Sequence, residues 1–350
     1  MTESAYVFSC EPEWEGILAG ELERVFPHSL AKRIDNGWVT IEPDDATAAP
    51  APVVAFASQC LPCVTAIAAD SIAQWVLAAG PILIQSLADH SGPWRLHVFG
   101  VYRPGGSVRP GRAKLIENGI VDLLRKKQRR LVRTMSPSAG PNVTGGSLAQ
   151  IGLVTPSTGY VSVCSPETLH ALRRCTSPFP GGIVGVPLDR RAPSRAFAKL
   201  LEAEIRLGRQ IAAGETCVDL GSSPGSWAYV ALQRGAHVTA VDRSPLRADL
   251  MEHPELTFVR GDAFRFEPAE TVDWLLCDVI AFPDRLLELL QRWLTNCWCR
   301  WFCVTIKFRG SDDYPKLEPI KTWLASSGAE FQLRRLTNNK NEVTVMGACA

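Results

Sequence analysis

The chain has 350 residues, of which 46% are hydrophobic, and a formal net charge of +1. The length exceeds the usual size of one domain, so two domains are expected, each with its own core. No uncharged apolar run of about 18 residues qualifies as a membrane span, although the stretch 50–69 is rich in alanine and valine. The first residues lack the apolar stretch of a signal peptide. Cysteines placed singly in apolar runs favour a reducing cytoplasm over a disulfide framework or a metal site.

The first half of the chain predicts a small α+β domain, because strand-like alternation and helical spacing of apolar residues follow one another. The hairpin at its end rests on two short apolar runs around Pro156. The predicted elements are, in order, strand 6–8, helix 13–26, strand 37–41, helix and strand character over 64–87, strand 94–99, helix 114–132, and a hairpin of 151–154 with 159–164.

A strongly basic segment lies between residues 103 and 133. Ten basic residues stand against Glu117 and Asp122, so 10 minus 2 gives +8 over these residues. Such a density is typical of a surface that binds nucleic-acid phosphates, although a solvated helix face can be equally charged. The candidate RNA-binding residues are Arg103, Arg109, Arg112, Lys114, Arg125, Lys126, Lys127, Arg129, Arg130 and Arg133.

A segment rich in proline, glycine and arginine, 178–193, predicts a domain boundary near residue 190. Beyond it the pattern is that of a doubly wound α/β domain, with a helix over 194–210. The predicted strands are 217–220, 237–241, 256–259, 272–277, 301–306 and 342–346. Polar residues end four of them, and since the carboxyl ends of parallel strands meet at one edge of a sheet, these side chains should line a ligand site.

The strand over 217–220 breaks into a glycine turn, and helical character begins at Ser226. The turn lacks the G-x-G-x-x-G spacing that brings a pyrophosphate onto a helix N-terminus, because Pro224 removes one amide and Asp219 precedes Gly221. The loop therefore favours S-adenosylmethionine over a dinucleotide.

Two acidic residues follow the next two strands. Asp242 lies at about the interval at which a carboxylate accepts hydrogen bonds from ribose hydroxyls, although it would also serve as a helix N-cap. Asp262 would lie beside an adenine and accept from its amine, or would simply occupy a turn after Gly261.

Lys307 ends an apolar strand, and burial of an unpaired ammonium costs several kcal/mol, so a partner is expected. Asp278, at the end of the neighbouring strand, could be that partner or could contact the cofactor. Partial burial favours the neutral form of a lysine, which a base acting near neutral pH requires. The alternative is a purely structural ion pair.

The set Lys199, Asp278, Lys307 and Glu342 resembles the Lys-Asp-Lys-Glu tetrad of the FtsJ-like ribose 2′-O-methyltransferases, in the same chain order. Longer strings are similar to a bacterial branch that modifies a cytidine of 23S rRNA and carries an N-terminal THUMP RNA-binding domain. They include Ala192-Pro-Ser-Arg195, Val218-Asp-Leu-Gly221, Glu342-Val-Thr-Val345 and, near the start, Cys10-Glu-Pro12. The resemblance covers most of the chain.

This resemblance implies an α+β THUMP-like RNA-binding region over 1–175, a linker over 176–192 and a Rossmann-like methyltransferase domain over 193–350. It implies S-adenosylmethionine as cofactor, no metal, and RNA as partner, with 23S rRNA favoured and a monomer favoured. Lys199, Asp278, Lys307 and Glu342 would be catalytic, with Lys307 as proton acceptor. The residues implied to bind the cofactor are Ser194, Asp219, Gly221, Ser223, Pro224, Gly225, Ser226, Trp227, Asp242, Asp262 and Asp278. Ser226 departs from the family, which usually has a second glycine there.

Other hypotheses stay open. The substrate could be a tRNA, or the chain could be a non-catalytic RNA-binding protein with a vestigial cofactor pocket. A base methyltransferase that modifies an amino group usually carries Asp/Asn-Pro-Pro-aromatic where this chain has Asp278-Val-Ile-Ala. A pyrimidine C5 enzyme needs an exposed activated thiol, and Cys277 is predicted to be buried. A dehydrogenase would need the missing dinucleotide spacing.

Overall fold

The computed structural model describes residues 5–42, 51–101, 111–137, 140 and 146–349. It divides into two compact units, with the division between Val184 and Gly185. Each unit is described by itself below.

The N-terminal unit begins with a four-stranded antiparallel sheet of order β2-β3-β1-β4. The elements are β1 (Tyr6–Ser9), α1 (Glu15–Val25), β2 (Lys32–Asp35), β3 (Trp38–Ile41) and β4 (Gln59–Leu61). The turn between β2 and β3 requires Gly37, whose φ is +85° and whose added Cβ would lie 2.5 Å from the Cys10 carbonyl oxygen. Buried Glu21 on α1 accepts hydrogen bonds from the backbone N–H groups of Ala55 and Phe56, which ties the helix to the chain that leads into β4.

A second sheet of the same unit has the order β5-β8-β7-β6, and only β6 and β7 are parallel. Helices α2 and α3 pack on it through a core that includes Trp75, Leu83, Ile116 and Ile120. Its elements are β5 (Thr65–Ala68), α2 (Ile72–Ser86), β6 (Trp94–Gly100), α3 (Gly111–Lys127), α4 (Arg129–Thr134), β7 (Ser147–Leu153), β8 (Thr158–Cys164) and α5 (Pro166–Ala171).

Two predictions for this region have opposite outcomes. The hairpin around Pro156 is confirmed, with longer strands than the sequence indicated. The single helix predicted over 114–132 is wrong, because the backbone of Gln128 leaves the helical region at φ −145° and ψ 63° and separates α3 from α4. The apolar residues keep helical spacing across this break, so periodicity alone does not reveal it.

The C-terminal unit is built on a seven-stranded sheet of order β11-β10-β9-β12-β13-β15-β14. The strands are β9 (Thr216–Leu220), β10 (His237–Asp242), β11 (Leu256–Arg260), β12 (Val272–Cys277), β13 (Cys299–Lys307), β14 (Glu330–Arg334) and β15 (Glu342–Ala348). The helices are α6 (Phe197–Leu207), α7 (Ser226–Gln233), α8 (Ala248–Met251), α9 (Pro283–Thr295) and α10 (Leu317–Ser326), and a short 3₁₀ helix spans Ser311–Lys316.

Strands β9 to β13 are parallel, whereas β15 runs antiparallel to both neighbours. Buried residues of α6 and α7 form one apolar cluster with alternate strand residues such as Trp274 and Leu276. The apolar stripe of α9, which includes Leu290 and Trp293, is buried against β13. The predicted doubly wound α/β fold is confirmed, and the strand order reverses at β9, the position at which such sheets bind ligands.

Candidate active site

Four charged side chains meet at the carboxyl end of the C-terminal sheet. Lys199 Nζ lies 2.8 Å and 2.7 Å from the two carboxylate oxygens of Asp278, and 3.1 Å from Glu342 Oε1. Lys307 Nζ donates to the Asp278 carbonyl oxygen at 2.8 Å and lies 3.1 Å from Asp278 Oδ1. Asp278 therefore joins both lysines, as a partner for the strand-ending Lys307 requires.

The local fold explains how residues so far apart in sequence come together. Lys199 lies in the first turn of α6, and Asp278 directly follows β12. Lys307 and Glu342 are paired across the antiparallel ladder of β13 and β15. Three strands and one helix thus bring one side chain each to the same edge of the sheet.

The two lysines differ in exposure. The Lys199 side chain is 6% exposed and lies between two carboxylates, whereas that of Lys307 is 22% exposed. A buried ammonium is tolerated only when it is paired, and Lys199 has two anionic partners. Lys307 is the lysine of the pair that a substrate can reach.

One further residue at this site, Asn339, escaped the sequence analysis. Its side chain is buried, and its amide nitrogen lies 3.2 Å from Glu342 Oε1. Its amide oxygen accepts from the Leu336 backbone N–H and from the Thr344 hydroxyl. Asn339 thereby fixes the oxygen of Glu342 that also accepts from Lys199. The asparagine-rich run directly before Glu342 is the signal that could have drawn attention to it.

The glycine turn after β9 has the backbone conformation that its glycines permit. Gly221 has φ +70°, and a Cβ there would lie 2.8 Å from Val279 Cβ. Gly225 has φ +105° and packs against Leu246 and Leu250. The turn therefore lies directly beside the residue that follows Asp278, at the point where the strand order reverses.

Buried Asp219, on β9, is hydrogen-bonded to the helix that follows this turn. Its Oδ2 accepts from the Ala228 backbone N–H in the first turn of α7, at 2.9 Å. Burial raises the pKa of this carboxyl to about 8. The Asp219 side chain thus links the end of β9 to the helix after the turn.

Asp242 and Asp262 lie near the ends of two adjacent strands. The carboxylate of Asp242 accepts from the backbone N–H groups of Ser223 at 3.0 Å and Ser244 at 2.8 Å. Asp262 accepts from the Phe264 backbone N–H and from Arg243, and the first of these bonds is the largest cause that lowers its pKa. Each carboxylate oxygen has two acceptor positions, so these bonds leave capacity for a ligand.

The remaining cofactor candidates line the start of α7. The hydroxyl oxygens of Ser194 and Ser226 lie 2.7 Å apart, and Trp227 Nε1 donates to the Ala196 carbonyl oxygen at 2.9 Å. Ser226, which replaces the usual glycine, is thus held by the segment that precedes α6. Pro224 follows Ser223 in the turn, and the hydroxyl of Ser223 donates to the Pro245 carbonyl oxygen.

The predicted RNA-binding residues do not share one environment. Arg103 and Arg109 lie outside the described residues. Arg112 donates to the Asp70 carbonyl oxygen and Arg130 to those of Leu87 and Ala88, so both also join elements of their own unit. The basic residues Lys114, Arg125, Lys126, Lys127, Arg129 and Arg133 are exposed on α3 and α4.

Other kinds of site find little support. Cys277 is buried, and burial raises its pKa to about 12, so its thiol is a poor nucleophile. Across the described ranges, no group of three or more His, Cys, Asp or Glu side chains could hold a metal ion. No helix in the described part of the chain combines the length and the apolar character needed to cross a membrane.

Part of the C-terminal unit is similar to a known protein family. Residues 192–306 match the family model described as FtsJ-like methyltransferase. That segment contains Lys199 and Asp278 and ends one residue before Lys307. The positions of Lys307 and Glu342 in the site therefore come from the coordinates and not from the family match.

Several curated relatives carry the name ribosomal RNA large subunit methyltransferase M. The protein from Laribacter hongkongensis is 36% identical over 181 residues, which cover 48% of this chain and 51% of the relative. The protein from Marinomonas sp. is 33% identical over 183 residues, or 49% and 52%. With these two, the chain spans about half the length of the relative. The protein from Teredinibacter turnerae is 27% identical over 362 residues, or 96% and 97%.

Solved structures are less similar. The crystal structure of TrmN from Thermus thermophilus aligns with 98% of this chain and 99% of its own, at 14% identity and a TM-score of 0.35. That likeness is too weak to carry functional weight.

Proposed function

We propose that this chain, whose residues 192–306 match the family model described as FtsJ-like methyltransferase, is an S-adenosylmethionine-dependent ribose 2′-O-methyltransferase that acts on ribosomal RNA. The observation that carries the proposal is the cluster in which both Lys199 and Lys307 contact Asp278, and Lys199 also contacts Glu342. A lysine held at a carboxylate, with part of its side chain open to solvent, is suited to accept a proton from a weakly acidic hydroxyl.

The residues around the glycine turn fit S-adenosylmethionine. The Ser222 hydroxyl is buried without a hydrogen-bond partner among the described residues, which leaves a polar atom for a ligand. Asp242 would accept from the ribose hydroxyls and Asp262 from the adenine amine, while residues 221–226 and Ser194 would surround the methionine part. When bound, S-adenosylmethionine supplies a methyl group on a sulfonium, which is already an activated leaving group.

In the mechanism that this arrangement supports, Lys307 Nζ would take the proton of the ribose 2′-hydroxyl. S-adenosylmethionine would supply the methyl group to the hydroxyl oxygen and would leave as the thioether S-adenosylhomocysteine, with its sulfur–methyl bond broken. The proton moves to the lysine nitrogen, so Lys307 must begin as the neutral amine. Asp278 orients this nitrogen through its carbonyl and carboxylate oxygens. Proximity contributes as well, because a bound ribose held at Lys307 needs no further diffusional search.

The formal charges of the set are compatible with one neutral lysine. Two ammonium and two carboxylate groups sum to zero, so beside a cationic methyl donor the set would carry one net positive charge. A neutral Lys307 would bring that sum to zero, and Lys199 would still compensate Asp278 and Glu342. Asn339 would keep Glu342 in place during this change.

The choice of RNA rests on two supports. The relatives named above are ribosomal RNA large subunit methyltransferases, and exposed basic residues on α3 and α4 suit phosphate contacts that position an RNA without specifying its sequence. We extend the proposal to a cytidine of 23S rRNA as target, to a THUMP-like role for residues 1–175, and to action in the cytoplasm.

The decisive experiment maps 2′-O-methylation of total rRNA and tRNA, from cells with and without the protein, by partial alkaline hydrolysis or mass spectrometry. We expect one ribose methyl of 23S rRNA, at a cytidine, to disappear in its absence and to return when the purified chain and S-adenosylmethionine are added. If every ribose methyl persists, the proposed activity is wrong. A loss confined to tRNA would replace the substrate and keep the chemistry.

A further inference from the structure

An exposed apolar surface follows Asp278. The Ile280 side chain is 80% exposed and that of Phe282 is 42% exposed. They follow Asp278 by two and four residues, so even an extended chain places Phe282 within about 14 Å of it. Large apolar side chains exposed beside a reaction centre are costly in water and indicate a binding surface.

A cation lies against this aromatic ring. The guanidinium carbon of Arg309 is 4.1 Å from the centroid of the Phe282 ring, and Lys316 Nζ is 5.6 Å from it. Arg309 follows Lys307 by two residues. Each member of the pair is therefore close along the chain to one residue of the tetrad, Phe282 to Asp278 and Arg309 to Lys307.

The segment that carries Arg309 is held by its own contacts. Asp313 Oδ2 accepts from the Arg309 backbone N–H at 2.9 Å, and Asp313 Oδ1 accepts from Lys316 Nζ at 2.8 Å. Asn341 Nδ2 donates to the Phe308 carbonyl oxygen at 2.8 Å. These contacts hold the Arg309 segment to its own loop and to the residues before β15.

The charges around the pair are mixed. Hydrogen bonding to Asp313 is the largest cause that raises the pKa of Lys316, and Asp284 and Asp312 act in the same direction. A surface with three carboxylates among its cations suits phosphates poorly. An uncharged aromatic partner fits it better.

We propose that Ile280, Phe282 and Arg309 form the platform on which the base of the methylated nucleotide stacks. Proteins that recognise RNA in a sequence-specific way commonly hold unstacked bases against aromatic rings and guanidinium planes. With the ribose at Lys307, its base would lie against the segments that directly follow Asp278 and Lys307 and carry Phe282 and Arg309. This inference rests on the proposed function, since it assigns the base side of the same site.

The test uses the full chain in the variants Phe282→Ala and Arg309→Gln. Binding of a fluorescein-labelled single-stranded RNA oligonucleotide by anisotropy should weaken about tenfold in each, and the apparent KM for rRNA should rise by a similar factor, because base stacking on an aromatic contributes about this much. The KM for S-adenosylmethionine should stay unchanged. Phe282→Trp, which retains a stacking face, should keep the RNA affinity within about threefold.

Arg300→Ala is the matched control, since Arg300 is an exposed cation at the opposite end of β13. Unchanged RNA binding in Phe282→Ala, or an equal loss in Arg300→Ala, would overturn the platform. The salt dependence of binding should be the same in Phe282→Ala as in the unsubstituted chain, and a smaller dependence would instead indicate a phosphate contact. If Phe282→Ala lowers the melting temperature, the RNA affinity of Arg309→Gln tests the platform instead, because Arg309 is exposed and its substitution should not disturb the fold.

Failure of this inference is distinguishable from failure of the proposed function. A chain that transfers no methyl group but loses oligonucleotide affinity in Phe282→Ala would contradict the activity and retain the platform. If the chain transfers methyl groups and Phe282→Ala leaves the KM for rRNA unchanged, the activity is supported and the platform is contradicted.

Discussion

At the scale of single residues, the two lysines of the tetrad differ in how far their charge is already compensated. Lys199 contacts both carboxylates, whereas Lys307 contacts Asp278 alone among the members of the tetrad. Their exposure differs in the same sense, since the Lys199 side chain is 6% exposed and that of Lys307 is 22% exposed. The proposed roles, with Lys199 as a buried structural cation and Lys307 as the base, rest on these contacts and exposures.

The substitution Lys307→Met removes the proposed base and keeps an apolar stem of similar length. We expect transfer to RNA to fall by about 10² to 10⁴-fold, the usual contribution of a general base, with S-adenosylmethionine affinity by calorimetry unchanged. Lys307→Arg is the informative comparison, because it keeps the positive charge but cannot supply a neutral base. If Lys307→Arg retains activity, Lys307 is a structural cation and is not the proton acceptor.

Asp219 predicts a pH dependence of stability. Its pKa is raised by burial to about 8, above the value of about 3.9 in an unfolded chain. Between these two pH values Asp219 is protonated in the folded state and ionised in the unfolded state. The contribution of Asp219 to the free energy of unfolding is therefore full below about pH 4 and is lost as the pH rises to about 8. Asp219→Asn stays neutral at every pH. Its free energy of unfolding, measured by urea denaturation, should therefore rise relative to that of the unsubstituted chain by about 1 kcal/mol or more between pH 5 and pH 8. A difference that does not change with pH would show that Asp219 is ionised throughout.

At the scale of elements, two glycines on either side of β9 allow the backbone strain of an alanine substitution to be distinguished from its steric clash. Gly214 and Gly221 both have positive φ, of +79° and +70°, but a Cβ on Gly214 meets no atom within 4 Å, whereas one on Gly221 meets Val279 at 2.8 Å. Gly214→Ala should cost only the strain of the left-handed conformation, about 1 kcal/mol.

Gly221→Ala should cost more, because Val279 must move and Asp278 precedes it. Thermal unfolding of both variants, with calorimetric titration of S-adenosylmethionine, checks this, and we expect cofactor affinity and transfer to fall only in Gly221→Ala. Equal behaviour of the two variants would mean that the turn adapts without disturbing the site.

The parallel strands could be predicted from the sequence because each is a short apolar run that stops at a polar residue or, for β9, at the glycine turn. Asp242 and Lys307 mark such stops, and both end their strands in the structure. Strand β14 was not predicted, since only its pairing with β15 distinguishes a short alternating segment from a loop. The role of Asn339 was equally hidden, because its contact with Glu342 exists only once the turn before β15 has formed.

At the scale of the whole molecule, the net charge of +1 conceals a basic surface on one unit. Exposed Lys126, Lys127 and Arg129 lie at the junction of α3 and α4. Their triple substitution by alanine should weaken binding of rRNA fragments and reduce the slope of log affinity against log salt by about two, since each phosphate contact contributes less than one.

The control for this prediction is Arg130→Ala on the same helix. Because the Arg130 guanidinium donates to the Leu87 and Ala88 carbonyl oxygens at the end of α2, its loss should lower the melting temperature. A triple variant with an unchanged salt slope would exclude this surface from RNA binding.

The sheet of the C-terminal unit also divides the site between two parts of the chain. Strand β15 is the last in the chain, yet it lies inside the sheet between β13 and β14 and delivers Glu342 opposite Lys307. Strands β9 to β13 carry the glycine turn and Asp278, whereas the second carboxylate at Lys199 and the neighbour of Lys307 across the ladder both come with β15. The side of the site assigned to the methyl donor therefore depends on the earlier strands, and the side assigned to the ribose depends also on the last one.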